Sequence, residues 1–168
     1  LQNYQFNAHG VELNQWYEEG AVVRDGTPRP ALVRDADLYY QATTWPGARL
    51  PHAWVERDGQ RVSTLDLVGK GRFCLLARIA GEPWMRAAEQ ASASLGLRLD
   101  AFRIGGPDGS ALDVLGQWAH QSEVEEDGCV LVRPDGHVAW RSATLPEEPA
   151  RVLTQVLCEV LKRPLPEG

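Results

Sequence analysis

The chain has 168 residues, 43% of them apolar, and carries a net charge of −6. That is length for one domain with an appended segment, and apolar content enough for a real core. The acidic balance argues against a nucleic-acid surface, which needs clustered Lys and Arg, and no apolar run approaches the roughly 20 residues of a membrane span.

The first residue is Leu and no basic-then-apolar leader follows it, so the chain is expected to be a piece of something longer. The first 58 residues differ in texture from the rest. Breakers cluster in DGTPRP and WPGARLP, and there is no long helical period. Val11, Leu13, Gln15 and Tyr17 alternate with Glu12, Asn14 and Trp16, which predicts a strand. Ala21 to Val23 is a second short apolar piece, and Arg24 to Asp37 is turn and linker chemistry. Pro46 and Pro51 then force an extended or turned path. The chain divides here into an extended segment, 1–50, and a domain, 51–168.

His52–Glu56 and Gln60–Leu65 flank Asp58-Gly59, the strongest short-range signal of a β-hairpin. TLDLVGKGR reads as a turn. Phe73–Ile79 is a buried strand bounded by glycines, and Glu82–Leu95 has helical spacing with Trp84, Ala87, Ala88, Ala91 and Leu95 on one face. Glu82 suits the positive end of the helix dipole and Pro83 suits a first turn. Leu97–Ile104 alternates as a strand. Such a βαβ unit demands a parallel pair.

Ala111–Ser122 is expected to be a helix carrying Leu112, Leu115, Trp118 and Ala119, capped by Asp108 or Ser110. Gly128–Val132, the turn Arg133–Gly136 and His137–Arg141 form a hairpin. Glu147–Leu161 is an amphipathic helix ended by Pro164. From Gly71 the order is β-α-β-α-β-β-α, the connectivity of the thioredoxin fold, here α/β with an additional hairpin and an extended segment at the front.

A redox thiol in that fold sits at the N-terminus of the first helix, where the dipole and backbone amides favour thiolate. Ala80–Met85 offers no cysteine there, and the approach to the third strand, SEVEEDG, lacks the proline usual at that point. Cys74, Cys129 and Cys158 form no CxxC and fall in apolar runs, so they read as buried structural thiols of a reducing cytoplasm. A stand-alone thiol enzyme is therefore not expected.

GKGR at Gly69–Arg72 lacks the Walker pattern and precedes a strand, so it reads as a turn. GGPDGS at Gly105–Ser110 joins a strand to a helix without a G-x-G-x-x-G, and a turn is again the plainer reading. His9, His52, His120 and His137 have no metal-ligand spacing. The carboxylates of Glu123–Asp127 read as a solvated loop. Trp84, Trp118 and Trp140 fall on core faces, whereas Trp16, Trp45 and Trp54 lie in a front segment with little core of its own. These last three either pack on the domain or dock on another surface.

The strings NAHGVELNQWY, AVVRDGTP, LYYQATTWPGARLPHAWVE, VSTLDLVGKGRFCLL and VRPDGHVAWR together resemble the C-terminal part of flavin-dependent phenol and chlorophenol hydroxylases, over nearly the whole chain. The resemblance implies a long parent with an FAD-binding domain, a substrate domain and a final thioredoxin-like domain without the cysteine pair. It implies the parent's chemistry: NADPH reduces FAD, O₂ adds to the flavin, and a phenol is hydroxylated at its ortho carbon to a catechol. Residues 1–23 resemble the end of the substrate domain, with the linker following to 50.

None of the family's flavin motifs has a match in this chain, so no catalytic, cofactor-binding or metal position carries over. The implied role is structural: docking on the parent's own FAD and substrate domains, or contacts between copies in a homo-oligomer, with no nucleic-acid or membrane partner. The alternative from the residues alone is a free-standing protein-interaction module.

Overall fold

In the computed structural model, residues 8–106 and 109–166 are described. The elements in chain order are α1 (His9–Leu13), β1 (Trp54–Arg57), β2 (Gln60–Ser63), α2 (Thr64–Leu67), β3 (Phe73–Ala77), α3 (Glu82–Leu95), β4 (Leu99–Gly105), β5 (Ala111–Leu112), α4 (Gln117–Gln121), β6 (Cys129–Val132), β7 (Val138–Ser142) and α5 (Pro149–Leu161). The strands make one seven-stranded sheet in the order β2-β1-β5-β4-β3-β6-β7. Within it, β3 and β4 run parallel with Phe73 opposite Leu99, while β6 lies antiparallel to β3 and β7 antiparallel to β6. This four-strand core, with α3 and α4 in the connections and α5 at the end, is the expected β-α-β-α-β-β-α arrangement, and β1, β2 and β5 extend it on the β4 side.

The period-two alternation of β3 divides the core. Cys74 and Leu76 face a layer with Leu50, Val55, Trp118 and Val130. Leu75 and Ala77 face the opposite layer, where Trp84, Trp140, Leu153 and Leu157 pack between the sheet and the helices α3 and α5. α3 ends at Gly96, which takes the left-handed conformation a helix C-terminus favours. The Asp58-Gly59 hairpin turn has positive φ at both residues, as the two-residue turn between β1 and β2 requires.

Three expectations are corrected. The alternating stretch 11–17 is not a strand: His9–Leu13 is a single helical turn, followed by irregular chain. The expected helix 111–122 shrinks to α4. Ala111 and Leu112 join the sheet as β5, because β1 and β4 both need a partner at that edge. TLDL, read as a turn, is the helix α2. Ser63 and Asp66 form a reciprocal capping box, with Leu65 N donating to Ser63 Oγ (3.0 Å) and Ser63 N donating to the Asp66 carboxylate (2.8 Å).

The front segment lies along β7. Val23 N donates to Ala139 O (2.8 Å), Gly47 N to Val138 O (2.8 Å), Val138 N to Ala48 O (2.8 Å) and Leu50 N to Gly136 O (2.9 Å). This covers an edge that would otherwise present unpaired backbone groups. Of the three front tryptophans, Trp45 is buried and Trp16 half-buried, and they pack on each other with ring centroids 5.9 Å apart, Trp45 Nε1 donating to Thr27 O (3.3 Å). Trp54 stays on the surface beside His52.

Candidate functional site

The first place to look for chemistry is the turn from β3 into α3. Ala80 N donates to Glu126 O (2.8 Å) and Gly81 N to Arg78 O (2.9 Å), which draws the turn against the loop before β6. A Cβ on Gly81 would lie 2.6 Å from Ala77 Cβ and 3.0 Å from Arg78 O, so the position excludes any side chain. Glu82 opens the helix and its carboxylate meets Arg103 Nε at 3.3 Å. Trp84 then points inward, fully buried, with Nε1 donating to Asp127 O (2.8 Å) and its ring edge-on to Trp140. The turn that bears a reactive thiol in redox members of the fold holds a glycine, a paired carboxylate and a core indole.

The thiols themselves are elsewhere and are all free and buried. Burial pushes the Cys74 thiol far above its ordinary range, with the Asp100 carboxylate adding to the effect. Burial does the same to Cys129. Neither group forms a thiolate near neutrality, which is the state nucleophilic chemistry requires.

The densest polar constellation is one the sequence reading did not find. Arg141, near the end of β7, is buried, and its guanidinium reaches four residues from three parts of the chain. Nε donates to Asp25 Oδ2 (2.5 Å), Nη1 to Glu123 Oε2 (2.6 Å) and to Thr44 Oγ1 (3.0 Å), and Nη2 to Thr27 Oγ1 (3.2 Å). Glu123 Oε2 also accepts from Thr43 Oγ1 (2.7 Å) and Thr44 N (3.0 Å). Asp25 Oδ1 accepts from Thr27 N (2.9 Å) and Thr27 Oγ1 (2.6 Å).

Burial alone would raise Asp25. The hydrogen bonds from Thr27 and Arg141, together with the charge of Arg141, outweigh it and hold the carboxyl below the usual range. Glu123 takes a positive φ of 54° to bring its carboxylate to the guanidinium. Part of the expected solvated loop is thus an ion-pair partner. The guanidinium is tied at all three nitrogens and both carboxylates are ion-paired, so the arrangement suits holding chain together and not moving a proton.

The remaining candidates do not assemble into a site. Gly69, Lys70 and Gly71 all have positive φ, so GKGR is a turn, as read. Pro107 and Asp108 of GGPDGS, including the proposed cap at Asp108, lie outside the described residues. Ser110 accepts from Arg103 N instead of capping a helix; the N-cap of α4 is Gly116, and its first-turn amides are taken by the Asp113 carboxylate, which accepts from Ala119 N (2.7 Å) and Trp118 N (3.3 Å). His52 Nδ1 sits 2.7 Å from Ser63 Oγ, but that hydroxyl already serves the cap of α2. His137 packs against Tyr17 and Asp135. Among the described residues no group of His, Cys, Asp and Glu is placed to hold a metal, and no helix is long and apolar enough to cross a membrane.

Comparison with known proteins places this geometry in context. A family model described as "aromatic-ring hydroxylase, C-terminal" matches residues 43–164. The chain is 50% identical over 158 residues to a 2,4-dichlorophenol 6-monooxygenase of Delftia acidovorans, covering 94% of this chain and 27% of the relative. It is 42% identical over 156 residues to a phenol 2-monooxygenase of a Pseudomonas species, covering 92% of this chain and 25% of that one. Among solved structures it is similar to the flavin-dependent monooxygenase PieE, crystallised with FAD and substrate, at a TM-score of 0.87 and 54% identity, over 95% of this chain and 27% of that chain. The chain therefore spans about a quarter of the length of the relatives it matches. The family match starts at Thr43, one of the residues on the Glu123 carboxylate.

Proposed function

The chain belongs to the family of aromatic-ring hydroxylase C-terminal domains, and from that premise we propose that it is the non-catalytic C-terminal domain of an FAD- and NADPH-dependent monooxygenase that hydroxylates a phenol or chlorophenol at the ortho carbon. The observation that carries the reading is the 50% identity to a 2,4-dichlorophenol 6-monooxygenase across 94% of this chain. The geometry agrees. The turn from β3 into α3 offers a carboxylate, Glu82, where a dinucleotide's pyrophosphate needs bare amides and room. This turn does not fit FAD, which supports the reading that the flavin is held by the part of the parent that precedes this domain and that the hydroxylation takes place there.

On this reading the domain's work is mechanical: it packs against the FAD and substrate domains of its own parent in the cytoplasm, or against another copy. The test compares two proteins. The 168-residue chain is expected to purify colourless and to consume no NADPH in the presence of 2,4-dichlorophenol. The full-length parent is expected to be yellow and to release the catechol. Stoichiometric flavin on the short chain, or a full-length parent without flavin, overturns the proposal.

A further inference from the structure

The front segment carries an apolar crest that the domain does not cover. Val33 is 86% exposed, Leu32 and Tyr39 are exposed beside it, and Val11 in α1 is 54% exposed. An exposed loop of this kind is ordinarily mobile. This one is fixed at both ends and through its middle. Asn14 Nδ2 donates to Ala36 O (3.0 Å) and Tyr39 O (2.8 Å), and Asn14 Oδ1 accepts from Gln41 N (3.0 Å). Gln41 in turn accepts from Val33 N (3.0 Å) and donates to Ala31 O (3.1 Å). The Arg34 guanidinium lies 3.3 Å over the Tyr39 ring. Below the crest, the Arg141 cluster fastens Asp25, Thr27 and Thr44 to the domain. Apolar side chains held rigidly in water, with the ordering cost already met, make a surface prepared for a partner.

The position of the crest identifies that partner. Gly10 N and Val11 N both donate to Asp37 O (3.1 and 3.2 Å), so the described chain begins against the crest. The chain covers about a quarter of its relatives and matches a C-terminal family, so most of such a polypeptide precedes it. We propose that the Leu32–Tyr39 crest is the docking face for the catalytic portion of the same polypeptide, so that the front segment acts as a rigid strut between the two. The inference rests on the reading of the chain as the C-terminal domain of a flavin monooxygenase. The second exposed apolar patch, Val114 and Leu115 beside Trp54, lies across the β1–β5 side of the sheet, away from the edge the front segment covers, and serves as the control.

The experiment uses the full-length parent with Val33→Asp and, separately, Leu115→Asp, followed by limited proteolysis and small-angle scattering. V33D is expected to speed release of this domain about tenfold, the least that losing one buried Val side chain gives, and to enlarge the radius of gyration at unchanged subunit number. L115D is expected to change neither. Because Val33 is so exposed, the melting temperature of the V33D 168-residue chain should match the wild type, which separates undocking from unfolding. An indifferent V33D, an L115D that releases the domain, or a V33D that lowers the subunit number overturns the proposal. If the wild-type parent holds flavin and turns over while V33D is indifferent, only the docking face is wrong; if the parent holds no flavin, the functional reading fails first.

Discussion

Replacing Arg141 with Met tests the reasoning about the buried cluster most directly. Met keeps most of the aliphatic stem and removes the guanidinium. Asp25, with a side chain 11% exposed, is then left with only its bonds from Thr27, whereas Glu123 is 38% exposed and can turn toward water. Removing one partner of a buried pair costs about 3–5 kcal/mol, and the freedom of Glu123 together with the retained Thr27 bonds puts this case near the bottom, at about 3 kcal/mol. For a chain of this size, about 2–4 °C of Tm per kcal/mol converts that to a fall of about 6–12 °C. Circular dichroism melts measure it, and proteolysis should show new cleavage between Asp25 and Asp37. Adding Asp25→Asn in the same chain is expected to restore about half of the loss, because an amide left without its cation is cheaper to bury than a carboxylate. An R141M chain that melts within a degree or two of the wild type, or a double variant less stable than R141M, would refute the account.

Two further outcomes follow from the titrating groups. Asp25 and Asp135 both have folded pKa values below 3.8, in each case because hydrogen bonds and a neighbouring arginine outweigh burial. The unfolded chain therefore takes up these protons first, and the stability they supply is full above about pH 4 and is lost as pH falls through the folded values. Urea midpoints at pH 6 and pH 3 should differ, and should differ less in R141M; equal midpoints in the wild type contradict the assignment. The buried thiols of Cys74 and Cys129 should resist Ellman's reagent at pH 8 in the native chain and react fully in guanidinium. Rapid native labelling of either one would show that its strand opens far more readily than the core packing allows.

Local rules sufficed where the structure is local. The span Glu82–Leu95 is marked by Pro83 near its start, alanines on one face and Gly96 at its end, and the helix occupies just those residues. The β6–β7 hairpin and α5 were legible for the same reason, although α5 begins at Pro149 instead of Glu147. The errors arose where a partner distant in sequence decides. Ala111 and Leu112 lie on a helical period, yet β1 and β4 recruit them into the sheet. The Arg141 cluster joins residues 116 positions apart, and nothing near Asp25 or Arg141 in the chain announces the other. The Ser63–Asp66 capping box is written in the sequence as Ser-x-x-Asp, but the helix it opens is only four residues long and runs straight into a glycine-rich turn that masks it. The path of the front segment depends on equally remote contacts: it is held along β7 by backbone bonds to residues 86 to 116 positions further on.

The indole at position 84 has a bearing on what this lineage can become. In redox proteins of this fold the same corner carries the reactive thiol, and a single replacement at position 81 or 84 is the short mutational path to one. Here the path is closed twice. A thiol at 84 in place of the indole would lose its tie to Asp127 and leave a hole between α3 and Trp140, a cost of about 3–5 kcal/mol. A thiol at 81 has no room for its first carbon beside Ala77. At both positions the space is already taken by packing, so either replacement lowers stability before any thiol reactivity is gained.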